Sequence, residues 1–156
     1  MNIIFREYGR WTDTGERTFR AVISVLGDAQ QLLWTGIGST FPNPFDPDNP
    51  DIQTTEAYGC LAAGVYSWEY RDDAHNGEPG LNINNNALLD AIAKNPNQNG
   101  QPVIDHVDIH AAWNDVWRGS AGCPTVVKPQ WDHFLEIVRV GQHGSLEIYR
   151  PNEGLI

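Results

Sequence analysis

The sequence predicts a single, mainly β domain. Its 156 residues correspond to about one domain of average length. Apolar residues make up 40% of the chain and charged residues 19%, a balance that excludes a chain disordered throughout. Phe19, Ala21 and Ile23 alternate with mostly polar neighbours, and this period of two is typical of a strand. Counting segments of this kind, we predict about six or seven strands and two helices.

The first half of the chain is predicted to consist of strands joined by loops. Residues 11–16 have the Asp, Thr and Gly composition of a hairpin loop. Four prolines within residues 38–52 predict a long loop, because proline removes backbone donors and restricts φ. This loop is either a surface excursion or a wall of a substrate cleft. Strands are expected over residues 2–8, 17–26, 31–37 and 58–70.

Both predicted helices lie in the second half. The first covers residues 87–94, with Asn86 as its N-cap. The second covers residues 129–140, where apolar residues spaced i, i+3, i+4 and i+7 form one face. That face consists of Trp131, Phe134, Leu135 and Val138. The polar, Asn- and Gly-rich residues 75–86 are expected to form a loop, and strands are expected over residues 103–110 and 145–150.

The charge balance limits the partners of the protein. Ten Lys and Arg against twenty Asp and Glu leave a net charge of −10. Nucleic acid is therefore not expected as a partner, because binding phosphates requires a basic surface. Docking on anionic lipid is excluded for the same reason. No apolar run approaches the roughly 20 residues of a membrane span, so we expect no membrane insertion. We also expect the protein to be a monomer.

The N-terminal residues 1–7 lack the basic segment and apolar stretch of a signal peptide. We therefore expect the chain to be made in the cytoplasm, or to be exported by a route that removes no N-terminal signal; a mature form supplied with an artificial Met is the remaining alternative. Its two cysteines, Cys60 and Cys123, are too few for a disulfide framework. A single Cys60–Cys123 bridge remains open from the sequence.

Residues 105–127 contain the most informative pattern. On a strand, Val107 and Ile109 would face the core, and His106, Asp108 and His110 would face the opposite side. Three polar groups would then point to a cleft or to solvent.

Cys123 follows His110 across a loop, at the end of a turn of small residues. The turn, Gly119 to Gly122, lets the backbone approach a ligand closely. A histidine near a cysteine can take the thiol proton, and the thiolate can then attack a carbonyl carbon. Backbone N–H groups of the turn could stabilise the resulting oxyanion. The alternative is a buried, inert cysteine beside a structural histidine.

The sequence Ile109-His110, followed by Ser120-Ala121-Gly122-Cys123, resembles the signature of the L,D-transpeptidase (YkuD) family. That signature is a His, a spacer and then Ser/Thr-His-Gly-Cys. The resemblance implies Cys123 as nucleophile and His110 as base, oriented by a backbone carbonyl, with Ser120 and Gly122 shaping the turn. It also implies that residues 1–156 form one catalytic domain, a β-sandwich of mixed sheets with two short peripheral helices.

Three departures from the family pattern affect the expected reaction. Ala121 replaces the family's second His, and Pro124-Thr125 replaces an apolar residue followed by Arg or Asn. The spacing between His110 and Cys123 is also shorter than in typical cell-wall transpeptidases. The departures keep a thioacyl-enzyme at Cys123 plausible, and they favour an L,D-carboxypeptidase over an L,D-transpeptidase.

The substrates implied by the resemblance are peptidoglycan stem peptides, which carry amines, carboxylates and sugars. An Asp could bind an ammonium group, an Arg a carboxylate, and a Trp could stack on a sugar. Each Trp could instead simply pack the loop onto the sheet. The expected substrate-binding residues are Trp113, Asn114, Asp115, Trp117 and Arg118.

Action on peptidoglycan by a chain without a signal peptide suits a phage lysis or tail protein. It also suits a delivered effector with an immunity protein as partner.

Two other functions remain open. A zinc hydrolase could use His106, Asp108 and His110, but residues i and i+4 of a strand lie about 13 Å apart. A non-catalytic wall-binding module would suit the six tryptophans and the acidic composition. Slow thiol labelling would favour this module, and metal analysis would detect the hydrolase. For the cysteine enzyme we expect neither a cofactor nor a metal.

Overall fold

The computed structural model describes residues 1–10, 13, 15–42, 59–92, 103–114, 117–120 and 122–151. This part of the chain contains eleven strands and one α-helix. The elements are β1 (Asn2–Glu7), β2 (Ala21–Leu26), β3 (Leu32–Ser39), β4 (Cys60–Leu61), β5 (Gly64–His75), β6 (Glu78–Ile83), β7 (Leu89–Ile92), β8 (Val103–Ile104), β9 (Asp108–Ala111), β10 (Thr125–Val126), α1 (Trp131–Gly141) and β11 (His143–Tyr149).

Eight of these strands form a closed barrel in the order β1-β11-β5-β6-β9-β10-β3-β2. Two neighbouring pairs, β1 with β11 and β9 with β10, are parallel, and the other pairs are antiparallel. The three short strands β4, β7 and β8 form a separate small sheet. The predicted mainly β fold with mixed sheets is confirmed. The larger sheet closes on itself, and the described residues contain one α-helix where two were predicted.

The helix predicted over residues 87–94 is wrong for the part that the structure describes. Leu89–Ile92 is strand β7, which pairs with Cys60–Leu61 on one side and with Val103–Ile104 on the other. Residues 93 and 94 lie outside the described residues. A short apolar run fits a strand as well as a helix, and available strand partners decide between the two.

The loop predicted over residues 75–86 is mostly a strand. The reversal needs only Asn76 and Gly77, whose φ angles are 51° and 78°, the signs required by a tight hairpin turn. Strand β6 follows at once, and its Leu81 and Ile83 are fully buried. The polar composition therefore reflects a hairpin turn and the asparagines at 84–86, all of which have positive φ.

The core lies inside the barrel and under α1. The predicted apolar face of the second helix is confirmed, because Trp131, Phe134, Leu135 and Val138 are all buried. The Phe134 ring lies 5.2 Å from the ring of Trp34 on β3. Burying a side chain of this size contributes about 1.5–3 kcal/mol. The helix therefore holds the segment after β10 firmly against the barrel.

No helix in the described part of the chain is long and apolar enough to cross a membrane.

Candidate active site

The parallel pairing of β9 with β10 brings the two motif residues together. Thr125 pairs with His110, so Cys123, two residues earlier, falls beside Asp108. The backbone N–H of Asp108 donates a hydrogen bond to Cys123 Sγ at 3.4 Å. The pairing therefore brings the predicted nucleophile, Cys123, close in space to the predicted base, His110.

Ser120 and Gly122 shape the turn that leads to Cys123. The Ser120 hydroxyl donates to the Cys123 carbonyl at 2.6 Å and accepts from the Gly122 N–H at 2.9 Å. Gly122 has a φ of 131°, and a Cβ there would lie 2.2 Å from the Gly59 carbonyl oxygen. Only glycine fits this position. Because the Gly122 N–H is bound to Ser120, it is not free to stabilise an oxyanion; Ala121 lies outside the described residues.

The predicted polar face of residues 106–110 is only partly correct. His106 has a φ of 50°, which breaks the strand before β9. Its side chain is 71% exposed and lies beside Asp105 at 3.4 Å. Asp108 and His110 stay on β9 and are buried. The structure therefore does not assemble the zinc set of His106, Asp108 and His110.

His110 is oriented by a backbone carbonyl. Its Nδ1 lies 2.8 Å from the Ala111 carbonyl oxygen, so Nδ1 carries the proton and donates it. Nε2 is then the acceptor nitrogen. This buried Nε2 has no hydrogen-bond partner in the structure. His110 therefore presents a free lone pair inside the protein.

A second imidazole, which the sequence did not predict, lies against His110. The His75 ring stacks on the His110 ring with centroids 3.8 Å apart and planes within 6°. His75 Nδ1 also lies 3.9 Å from a carboxylate oxygen of Asp108. Neighbouring residues in the sequence do not indicate this contact. It arises because β6 pairs with both β5, which ends at His75, and β9, which carries His110.

His75, His110 and Cys123 form one cluster, in which a ring nitrogen of each histidine and the sulfur lie within 4.8 Å of one another. Burial raises the pKa of Cys123 to about 12. Burial, and secondarily the neighbouring His75, lower the pKa of His110 to about 4. At neutral pH the site therefore holds a thiol and a neutral imidazole, rather than a preformed ion pair.

A cavity of about 400 Å³ opens beside the cluster. Both imidazoles line it, whereas the partly exposed Cys123 does not. Its walls carry one side chain of each charge and two tryptophans. The lining residues are His75, Asn76, Glu78, Pro79, His110, Ala111, Ala112, Trp113, Lys128 and Trp131.

The predicted substrate-binding residues take different places. Trp113 lines the cavity with 62% of its surface exposed, which suits a stacking role. The Asn114 side chain accepts a hydrogen bond from the Trp117 N–H at 2.7 Å, and the Trp117 carbonyl accepts one from the Trp113 N–H. Asn114 and Trp117 therefore shape the loop that presents Trp113. Asp115 lies outside the described residues.

Arg118 is buried, with 1% of its surface exposed. Its guanidinium donates hydrogen bonds to the carbonyls of Thr18, Pro42 and Asp13. Burial lowers its pKa to about 10, so it stays charged at neutral pH. This placement favours a structural role over the predicted contact with a substrate carboxylate.

Both cysteines are free thiols, so the bridge that the sequence left open does not form. Cys60 is fully buried on β4, and its sulfur accepts a hydrogen bond from Arg150 at 3.3 Å.

Comparisons with protein-family models, with curated proteins and with solved structures found no match.

Proposed function

We propose that the protein is a cysteine-dependent hydrolase of peptidoglycan stem peptides, with Cys123 as nucleophile and His110 as base. The observation that supports the proposal is the state of His110. Its Nδ1–H is held by the Ala111 carbonyl, and its Nε2 is buried without a partner. A base prepared in this way lies in one cluster with the Cys123 sulfur, within 4.8 Å.

The reaction begins as the Cys123 sulfur attacks the carbonyl carbon of the scissile amide while its thiol proton passes to Nε2 of His110. The imidazolium returns the proton to the leaving nitrogen as the carbon–nitrogen bond breaks, which leaves a thioester on Cys123. Water attacks the thioester and gives a proton to His110. Collapse of this second intermediate releases a carboxylic acid, and the proton returns to the sulfur.

Burial of the pair requires proton transfer to accompany the attack. Separate charges on the sulfur and the imidazole would be costly here, as the raised pKa of Cys123 and the lowered pKa of His110 indicate. The Asp108 N–H, which already donates to the sulfur, favours the thiolate as it forms. Ser120 holds the backbone of the nucleophile through its two hydrogen bonds.

The cavity supports the proposed substrate class. Lys128 and Glu78 lie on its walls, so a substrate with carboxylate and ammonium groups finds a complement for each. The exposed indole of Trp113 offers a stacking surface for a sugar or an alkyl chain. We place the action of the enzyme at the cell wall, after lysis or delivery, and we expect hydrolysis to exceed cross-linking.

Digestion of defined tetrapeptide muropeptides, followed by mass analysis, tests the proposal. We expect tripeptide and free D-alanine from the wild type, and no turnover by Cys123→Ala. Cys60→Ser, which changes the other thiol, is the matched control and should keep full activity. A dominant cross-linked dimer would overturn only the expectation that hydrolysis exceeds cross-linking, and it would leave the cysteine mechanism intact. Binding of muropeptides without any turnover would instead favour a non-catalytic wall-binding module.

A further inference from the structure

The described residues contain a donor set that no predicted reaction uses in full. His75, His110 and Cys123 supply two imidazole nitrogens and one sulfur, all within 4.8 Å of one another. Histidine and thiolate ligands are those that Zn²⁺ prefers, and zinc sites with an open position use three protein ligands. We propose that these three residues bind one divalent transition metal of the zinc type.

The groups around the three donors are those that metal ligands require. A metal-binding histidine donates its other ring N–H to a carbonyl or a carboxylate. His110 donates to the Ala111 carbonyl at 2.8 Å. His75 Nδ1 lies 3.9 Å from the Asp108 carboxylate. His110 therefore keeps Nε2 for the ion, and His75 has a carboxylate nearby, beyond hydrogen-bond distance.

The sulfur is supported in the same way. The Asp108 N–H donates to Cys123 Sγ at 3.4 Å, and such a bond stabilises a thiolate ligand. The Asp108 carboxylate is itself held by the Asn82 side-chain amide at 2.8 Å. Asp108 thus supports the sulfur through its backbone, and its carboxylate lies near His75.

An independent observation comes from His110, which is 4% exposed. Its Nε2 has no hydrogen-bond partner. Buried polar atoms are nearly always paired, so an unpaired nitrogen needs an explanation. A metal ion bound at this lone pair would supply the partner.

Binding requires one ring to turn. The two imidazoles are parallel within 6°, so their lone pairs lie in two parallel planes, whereas ligands of one ion converge on it at about 2.0–2.1 Å. His110 is buried and tethered to Ala111. The His75 side chain is 32% exposed and lies at the end of β5, beside the Asn76–Gly77 turn. His75 is therefore the ring that rotates, and metal binding replaces the stacking contact.

Titration of metal-free protein with Co²⁺ tests the site directly. A cobalt–thiolate bond produces a charge-transfer band in the near ultraviolet that cobalt bound only to nitrogen or oxygen does not produce. We expect the band to saturate at one Co²⁺ per chain and to disappear when Zn²⁺ is added. His75→Ala removes a metal ligand and should weaken the affinity for Co²⁺ by more than about 100-fold. That loss exceeds the one usually seen when a residue that only hydrogen-bonds to a ligand is replaced. Asp108→Asn should weaken the affinity by about 10- to 100-fold.

The controls separate this site from other thiols and histidines. Cys123→Ser should abolish the band, and Cys60→Ser should leave it unchanged. His106→Ala removes an exposed histidine and should leave the affinity within about twofold. Thermal melting without metal checks that each variant is folded, and His75→Ala is the most tolerable ligand change because that side chain is partly exposed. Absence of the band in the wild type, or its persistence at full strength in His75→Ala, would overturn the proposal.

The metal site and the proposed function can fail independently. If Cys123 is the nucleophile, zinc bound to its sulfur should inhibit muropeptide hydrolysis, a consequence that rests on the proposed function. Hydrolysis that requires zinc would keep the metal site and overturn the cysteine mechanism. Cobalt binding without any hydrolysis would likewise support the site and count against the enzyme.

Discussion

The two cysteines differ in their neighbours: Cys60 is fully buried beside a guanidinium, and Cys123 is partly buried beside two imidazoles. Burial raises the pKa of Cys60 to about 11 and that of Cys123 to about 12. Cys60 accepts its hydrogen bond from the Arg150 guanidinium, which has donors and no acceptor atom. Cys123 lies within 4.8 Å of two imidazole nitrogens. Burial makes both thiols neutral, and only a neighbour that can accept a proton makes one of them a candidate nucleophile.

The polar side chains around Cys60 have a structural role in this fold. Arg150 donates to the Leu61 carbonyl at 2.7 Å and lies 4.8 Å from the centre of the Phe41 ring. The carboxylate of Glu7 accepts hydrogen bonds from Gly9, Ser39 and Thr40. These bonds hold the strands and loops near β4 together. Among the described residues, each site has one buried nitrogen without a hydrogen-bond partner, Arg150 Nη1 beside Cys60 and His110 Nε2 beside Cys123. The two differ in chemistry, because a neutral imidazole nitrogen accepts a proton and a guanidinium nitrogen only donates.

Replacing each thiol in turn tests the comparison most strongly. Cys123→Ala should lower kcat/KM for muropeptide hydrolysis by about 10⁴-fold or more, because the covalent route is lost. Cys60→Ser should stay within about twofold of the wild type. Equal losses in both variants would mean that the two cysteines act through stability, which melting curves would reveal.

Replacing histidines tests whether the neighbour makes the difference. His110→Ala should lower kcat/KM by about 10²- to 10⁴-fold, the usual contribution of a general base. His106→Ala should have little effect, because that side chain is exposed and lies outside the cluster. A larger loss in His106→Ala than in His110→Ala would identify the wrong histidine as base.

The Cys60 thiol should make stability depend on pH in the alkaline range. Its folded pKa of about 11 lies above the ordinary value of 9.0, so the folded state favours the neutral thiol. Above pH 9 the unfolded chain loses this proton first, and stability falls until about pH 11. The fall amounts to up to about 2–3 kcal/mol. Urea unfolding at pH 7, 9 and 11 should show a smaller fall in Cys60→Ser, and an identical fall would contradict the assignment.

The smallest expected effect concerns the backbone that carries Cys123. Ser120→Ala removes the hydrogen bonds to the Gly122 N–H and to the Cys123 carbonyl. We expect kcat/KM to fall by about tenfold, equivalent to about 1.4 kcal/mol, with little change in KM. Ser120→Thr keeps the hydroxyl and should recover part of the loss. A change confined to KM would indicate that Ser120 contacts the substrate instead.

Much of the local structure follows from the sequence alone. The alternation that predicted a strand around Ala21–Leu26 is seen in β2, where alternate residues are buried. The spacing of Trp131, Phe134, Leu135 and Val138 predicted the buried face of α1 correctly, because helical periodicity depends only on neighbouring residues. The turn of small residues before Cys123 was predicted from its composition, and the resemblance implied that Ser120 and Gly122 shape it; its hydrogen bonds and its positive φ are local.

The remaining features depended on partners far away in the chain. Residues 89–92 became a strand because two other segments pair with them. Arg118 could not be recognised as structural before the carbonyls of Thr18 and Pro42 lay beside it. His75 reached His110 through the pairing of β6 with both β5 and β9. The sequence by itself determined strand character, the face of α1 and the Cys123 turn, because these follow from residues close in the chain. Only the tertiary structure decided the barrel closure, the strand at 89–92 and the second imidazole, because each depends on contacts between distant segments.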